Sequence, residues 1–163
     1  MTIETSNNSP KIRRATYDDI QSLVSFNQQM AWETEQKQLA EEILSKGVSA
    51  VVDSDDKGFY LVADADGQVV ASLMVTFEWS DWRNGFFWWI QSVYVVPGFR
   101  RQGLYQRLYT MVQQLGAKAG AIGYRLYVEK ENQVAQKTYQ SLGMKVCDYD
   151  MYEAMAADPS TQK

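Results

Sequence analysis

Apolar positions recur along this chain at two alternating periods, one helical and one of two residues, which outlines a mixed α/β protein. Ile12 to Ala15 reads as a short strand. Thr16 and Asp19 form a capping-box pattern ahead of Ile20, Leu23, Val24 and Asn27, whose spacing predicts a helix over 17–30. A second, shorter helix is predicted over 36–46, ended by Gly47. The period then falls to two over 59–63 and 69–77, joined by Asp64-Ala65-Asp66-Gly67, whose Asp-Gly suits a hairpin turn. After a further turn over 79–85, residues 86–96 are apolar on both faces, as in a central strand.

From Gln102 the helical period returns: Leu104, Leu108, Met111, Val112 and Leu115 share a face, and Gly116 and Gly120 mark the exit. Residues 124–129 read as strand. Asn132 caps a helix carrying Val134, Ala135, Thr138, Tyr139 and Leu142 on one face and closed by Gly143. One or two last strands are expected over 145–153. The polar ends, 1–10 and 156–163, read as tails around one domain over 11–155.

A length of 163 residues fits one domain, which at this size buries about 68–70% of its unfolded surface. Hydrophobic residues at 45% and charged ones at 22% argue against disorder, and 13% aromatics point to a large core or an aromatic-lined pocket. The net charge of −4 has the wrong sign for a nucleic-acid or anionic-membrane partner. The single Cys147 excludes an intrachain disulfide, and with no histidine neither a metal site nor a Ser-His triad is expected. No apolar run approaches the roughly 18 residues of a membrane span, and the start lacks a signal-peptide pattern. A soluble, cytoplasmic protein is the expectation.

The most informative stretch is Val93-Tyr94-Val95-Val96-Pro97-Gly98-Phe99-Arg100-Arg101-Gln102-Gly103-Leu104-Tyr105. A strand, a Pro-Gly turn, two arginines and a glycine open a helix, which brings unsatisfied backbone N–H groups and positive charge to one point. Phosphate suits such a site. Neither a Gly-x-x-x-x-Gly-Lys loop nor a Gly-x-Gly-x-x-Gly turn is present. The bland alternative is a strand-to-helix turn with two solvated arginines.

Here the chain resembles the GNAT superfamily of acetyl-CoA-dependent N-acetyltransferases. The family pattern Arg/Gln-x-x-Gly-x-Gly/Ala is met by Arg100-Arg101-Gln102-Gly103-Leu104-Tyr105, with Tyr105 departing where a small residue is usual. A second block is matched by Asn132, Ala135, Tyr139 and Gly143, and the likeness extends to Ile12-Arg13-Arg14-Ala15-Thr16. The resemblance implies a single-domain acyl-CoA N-acyltransferase fold, a mixed, splayed sheet flanked by helices. It implies that the strand backbone at Val93, Tyr94 and Val95 bonds the pantetheine arm of acetyl-CoA, and that Arg100, Arg101, Gln102, Gly103, Leu104 and Tyr105 hold the pyrophosphate. It further implies that Asn132 and Ala135 contact the cofactor arm and that Tyr139 lies beside the sulfur. A phenol with a pKa near 10 can donate to a departing thiolate, so Tyr139 is the expected general acid, against the alternative of a core tyrosine. Family members are commonly dimers, so a homodimer is possible.

A primary amine with a pKa near 10.4 is free at about one part in a thousand at neutral pH, a cost of roughly 4 kcal/mol before attack, so a base is expected. The two positions where the family often carries glutamate are Gln91 and Tyr127 here. The remaining acids toward the acceptor side are Glu33, Glu35, Glu78 and Asp81, of which Glu78 and Glu33 lead as the base. Substrate contacts are expected from these acids with Trp89 and Gln91, and Trp79, Trp82, Phe86, Phe87, Trp88 and Trp89 are candidates to line one acceptor pocket. The reading is acetyl transfer to a small-molecule or peptide amine by direct attack. Its rivals are a non-catalytic acyl-CoA-binding or regulatory module, motivated by the missing carboxylates, and a structural protein using its aromatic hairpin as an interface. Which amine is the acceptor, and whether other acyl groups are used, the sequence leaves open.

Overall fold

The computed structural model describes residues 9–156, so 1–8 and 157–163, where most of the two expected tails fall, lie outside the described residues. The chain divides into one compact unit up to Tyr127 and a second from Val128.

The first unit is built on a five-stranded mixed sheet of β1 (Lys11–Arg14), β2 (Phe59–Ala65), β3 (Gln68–Ser80), β4 (Gly85–Val95) and β5 (Gly123–Arg125), in that spatial order. The first four strands are antiparallel neighbours, and β5 runs parallel to β4. Three helices cover it: α1 (Ile20–Glu35), α2 (Glu41–Asp53) and α3 (Leu104–Ala119). Tyr60 and Val62 of β2 pack with Leu23 of α1 and Val48 of α2 on one face. Strand alternation turns Phe59 and Leu61 to the other face, toward α3, where Leu104, Leu108 and Val112 are buried. Each such Leu or Val contributes about 1.5–3 kcal/mol by leaving water. Among the described residues no helix is long and apolar enough to cross a membrane.

The α/β class and the mixed sheet follow the sequence reading, with several shifted bounds. The first helix begins as a 3₁₀ turn at Tyr17–Asp19 and runs on to Glu35. Thr16 N donates to Asp19 Oδ2 at 2.7 Å, and the Arg13 guanidinium grips both Asp19 oxygens at 2.7 and 2.9 Å. The Asp66-Gly67 turn joins β2 to β3 with φ of 54° and 88°, as the hairpin signal requires.

Gly47 does not end the second helix, which runs from Glu41 to Asp53. Leu44, Val48, Val51 and Val52 continue its apolar face, and burying them outweighs the roughly 1 kcal/mol that an internal glycine costs. Gly116 also lies inside a helix rather than at its exit. A Cβ there would overlap the Tyr124 hydroxyl, so the glycine lets α3 approach β5, and the helix ends at Gly120, φ +76°.

The 124–129 strand is realised only as Gly123–Arg125, because β5 finds ladder partners on β4 only at Phe87, Trp88 and Trp89. Past that point the β4 edge has no neighbouring strand among the described residues. In the second unit, α4 (Gln133–Ser141) is capped by Asn132 and ended by Gly143 at φ +88°. The strands expected over 145–153 are absent: most of that segment is exposed and has no ladder partner, and alternation alone cannot supply one.

Candidate functional site

The β4 strand carries an irregularity that positions the site. Register with β3 shifts between Ser72 and Met74, and Ser92 adopts φ +50°, so β4 holds one extra residue there. The bulge reverses the alternation: Gln91 lies on the α1 face, and beyond the bulge Tyr94, not Val93, faces α1. Tyr94 packs against Phe26 with ring centroids 5.1 Å apart. Its hydroxyl donates to Gln29 Oε1 at 2.7 Å, with Glu33 Oε1 a second acceptor 3.2 Å away. Burial, and then the Glu33 charge, raise the Tyr94 pKa.

At the end of β4, Val96 N–H donates to Val70 O at 2.9 Å, on the β3 side. Alternation therefore aims the backbone groups of Val95 at the opposite, unpaired edge. The strand continues into a 3₁₀ turn at Pro97–Phe99 and reaches α3 through two left-handed residues, Arg101 at φ +62° and Gly103 at φ +75°. The first-turn N–H groups of α3, from Leu104 on, have no carbonyl four residues back. A Cβ on Gly103 would meet nothing within 4 Å. An exposed cation, open backbone donors and a glycine-lined approach fit a phosphate group, and an unpaired strand edge beside them fits an amide-bearing arm.

The two arginines of the loop differ. Arg100 Nε donates to Val95 O at 2.8 Å, and its Nη2 reaches Glu33 Oε2 at 2.8 Å, with Cζ 5.5 Å above the Tyr94 ring. Arg101 is exposed, and among the described residues its side chain makes no hydrogen bond or ion pair. Gln102 Nε2 donates to Gly98 O at 3.0 Å, closing the loop on itself.

The predicted acceptor residues lie as follows. Glu78 accepts from Trp89 Nε1 at 3.1 Å and from Arg125 Nη1 at 2.5 Å. Gln91 Nε2 donates to Thr76 Oγ1 at 2.6 Å on the same face. Glu35 pairs with Lys37, and Asp81 accepts from the N–H of Trp82 in an exposed turn. Glu33, Glu35 and Glu78 are thus each paired with a cation rather than forming a bare anionic surface.

The six aromatic rings, candidates either for one acceptor pocket or for core and hairpin packing, divide between two faces, because their side chains alternate. Phe86 and Trp88 pack, tilted or edge-on, against Trp79 and Phe77 on the α3 side, while Phe87 and Trp89 face the other way, and Trp82 is solvent-exposed. Sequence reasoning missed Arg125, Thr76 and Gln29. Arg125 stands two residues before Tyr127, on the same face of the extended chain, so a period of two pointed to it.

In the second unit the Asn132 side chain accepts from Ala135 N at 3.1 Å and so serves as the N-cap of α4. Tyr139 is half-buried, and desolvation raises its pKa above the ordinary value of 10.0.

A model of the Acetyltransferase (GNAT) family matches residues 17–144. Among solved structures, the chain is similar to a possible acetyltransferase from Clostridium difficile 630 at 46% identity and a TM-score of 0.86, covering 92% of this chain and 99% of that one. An aminoglycoside N-acetyltransferase solved in complex with CoA shares the fold at 17% identity and a TM-score of 0.75, covering 90% and 95%. An integron cassette protein from the mobile metagenome of Cole Harbour salt marsh does so at 18% and 0.81, covering 97% and 98%.

Proposed function

The chain belongs to the Acetyltransferase (GNAT) family, and we propose that it transfers acetyl from acetyl-CoA to the primary amine of a small molecule or peptide. The observation that carries this reading is the junction of β4 with α3, where an unpaired strand edge runs into a loop with left-handed residues at Arg101 and Gly103.

Backbone groups of Val93 and Val95 and the N–H groups of the 101–105 segment are the proposed holders of the cosubstrate, with Asn132, Ala135 and Tyr139 carried over from the family pattern; the Tyr94 backbone, one step out of that alternation and paired with Ser72, faces β3 instead. Asn132 then acts mainly by holding α4 in shape, since its side chain is committed to the Ala135 N–H. Acetyl-CoA supplies an acyl carbon already activated as a thioester. The amine nitrogen forms the new C–N bond as the C–S bond breaks, with no acyl-enzyme stage.

Tyr139 is the proposed proton donor to the leaving sulfur. A phenol is protonated at neutral pH and so can donate, and burial keeps this one in that form. Glu78 is the proposed group that receives the amine proton, directly or through water. Both of its oxygens already accept one hydrogen bond, and a carboxylate has room for more.

Thiol release from acetyl-CoA across a panel of amines, set beside calorimetric titration with CoA, tests the reading. Amine-dependent release is expected. Tight CoA binding with no release for any amine would replace it with a binding module.

A further inference from the structure

The sheet face shared with α1 carries, around Trp89, a cluster whose chemistry the reaction above does not exhaust. Arg125 of β5 lies beside Trp89 in the parallel register and donates through Nη1 to Glu78 Oε1 at 2.5 Å. Its guanidinium lies 3.6 Å over the Phe87 ring, and Arg83 lies 5.3 Å from the same ring. The indole of Trp89 is fixed by its bond to Glu78 Oε2, and its ring centroid is 6.2 Å from that of Tyr127. The Arg125 and Glu78 side chains remain 30% and 39% exposed, so a ligand can reach both.

Three features of this cluster bear on the acceptor. The pair is neutral as a whole, so a ligand that is only cationic gains little from Glu78 against the repulsion of Arg125. Each partner keeps unused capacity: the carboxylate has about four lone-pair sites and the guanidinium five N–H donors. Among the described residues only Nη1 of Arg125 is engaged by an acceptor. The unused groups are complementary to a zwitterion, an ammonium on the Glu78 side and a carboxylate on the planar fork of Arg125, which Phe87 holds flat.

We propose that the acceptor is an amino-acid-type molecule, a primary amine with a carboxylate a few bonds away, and that Arg125 is the specificity-determining residue that binds that carboxylate. This rests on the amine-acetylation reading above. The rings of Trp89 and Tyr127 beside the pair provide an apolar wall for the remainder of the molecule.

The test uses matched acceptors that differ only in the carboxylate, phenylalanine against phenethylamine and arginine against agmatine. Binding to the CoA-saturated enzyme is measured by calorimetry, and kcat/KM with acetyl-CoA. The carboxylated member of each pair is expected to be preferred by about tenfold or more in both quantities, the scale of one charge-assisted fork. Arg125→Gln should bring both ratios to within about twofold of one, and Arg125→Lys should restore part of the preference. The double variant Arg125→Gln with Glu78→Gln leaves no unpaired charge, so it guards against misfolding, and it should also lose the binding preference. Equal binding of the two members by the wild-type enzyme, or a preference that survives Arg125→Gln, overturns the proposal. Preferential binding of the carboxylated member, lost in Arg125→Gln, without acetylation of either member upholds Arg125 as the carboxylate-binding residue and overturns the amine-acetylation reading, and with it the molecule's role as acceptor.

Discussion

Arg100 and Glu33, 67 residues apart in the chain, form an ion pair in which the one nitrogen Nη2 lies 3.1 and 2.8 Å from the two carboxylate oxygens. Through Val95 O and the Tyr94 ring the same arginine fastens the end of α1 to the end of β4. An arginine so committed is a poor first ligand for a phosphate, and Arg101 is the more available cation. We expect Arg101→Gln to weaken CoA binding by about tenfold and Arg100→Gln by less than about threefold at low salt, with the Arg101 effect shrinking as salt rises. Calorimetry on both variants checks the order. Because the Arg100–Glu33 pair is about two-fifths exposed, Glu33→Gln should change stability by no more than about 1 kcal/mol.

Gly103 combines a left-handed backbone with open space where a Cβ would stand. Gly103→Val should therefore fold, destabilised by about 1–2 kcal/mol of backbone strain. The side chain would occupy the approach to the loop, so CoA affinity should fall by at least about tenfold, or 1.4 kcal/mol. A folded variant with unchanged affinity would remove the loop from the binding site.

Asp19 is buried, and its carboxyl pKa is lowered, first by the Arg13 guanidinium and also by the Thr16 N–H, against the opposing effect of desolvation. A depressed folded-state pKa gives stability that is fully present above the unfolded value near 3.9 and is lost as pH falls through the folded value. Asp19→Asn should cost about 2–4 kcal/mol at pH 7, since it leaves the Arg13 charge without its best partner. The variant should also lose less stability than wild type between about pH 5 and pH 2. Urea unfolding of both proteins across that range measures the difference, and parallel curves would deny Asp19 its part in acid unfolding.

Tyr139→Phe keeps the ring and removes the hydroxyl. Its expected effect is a fall in kcat of roughly 10²-fold with CoA affinity intact. Because burial raises the phenol's pKa, a donor role also requires that any decline of the wild-type rate from this group come at a more alkaline pH than an ordinary phenol would give. An unchanged kcat in the variant, with chemistry shown to be rate-limiting, would return Tyr139 to a packing role.

What the sequence disclosed were the features whose causes are local. Pro97 and Gly103 around the loop, Asn132 and Gly143 around α4, and Asp66-Gly67 in the hairpin act within a few residues of themselves, so their spacing was enough. Gly47 and Gly116 were misread as helix ends because the forces that keep them helical come from tertiary packing, α2 against β2 and α3 against Tyr124. The bulge at Ser92 left no mark, since a non-glycine residue holds the left-handed conformation there. The ion pairs that engage Glu33 and Glu78 join residues 67 and 47 positions apart, Glu33 with Arg100 and Glu78 with Arg125, and no periodicity relates such positions. Charge counting therefore suggested exposed acids where the fold supplies paired ones.

The most direct measurement of direct acetyl transfer to an amine is a single-turnover experiment read by mass spectrometry, with enzyme in excess over acetyl-CoA and an acceptor present. The account predicts one acetylated amine for each CoA released, no thiol release when the amine is omitted, and an enzyme mass unchanged throughout. Release of CoA with acetyl retained on the protein, or with no acetylated amine formed, would contradict it.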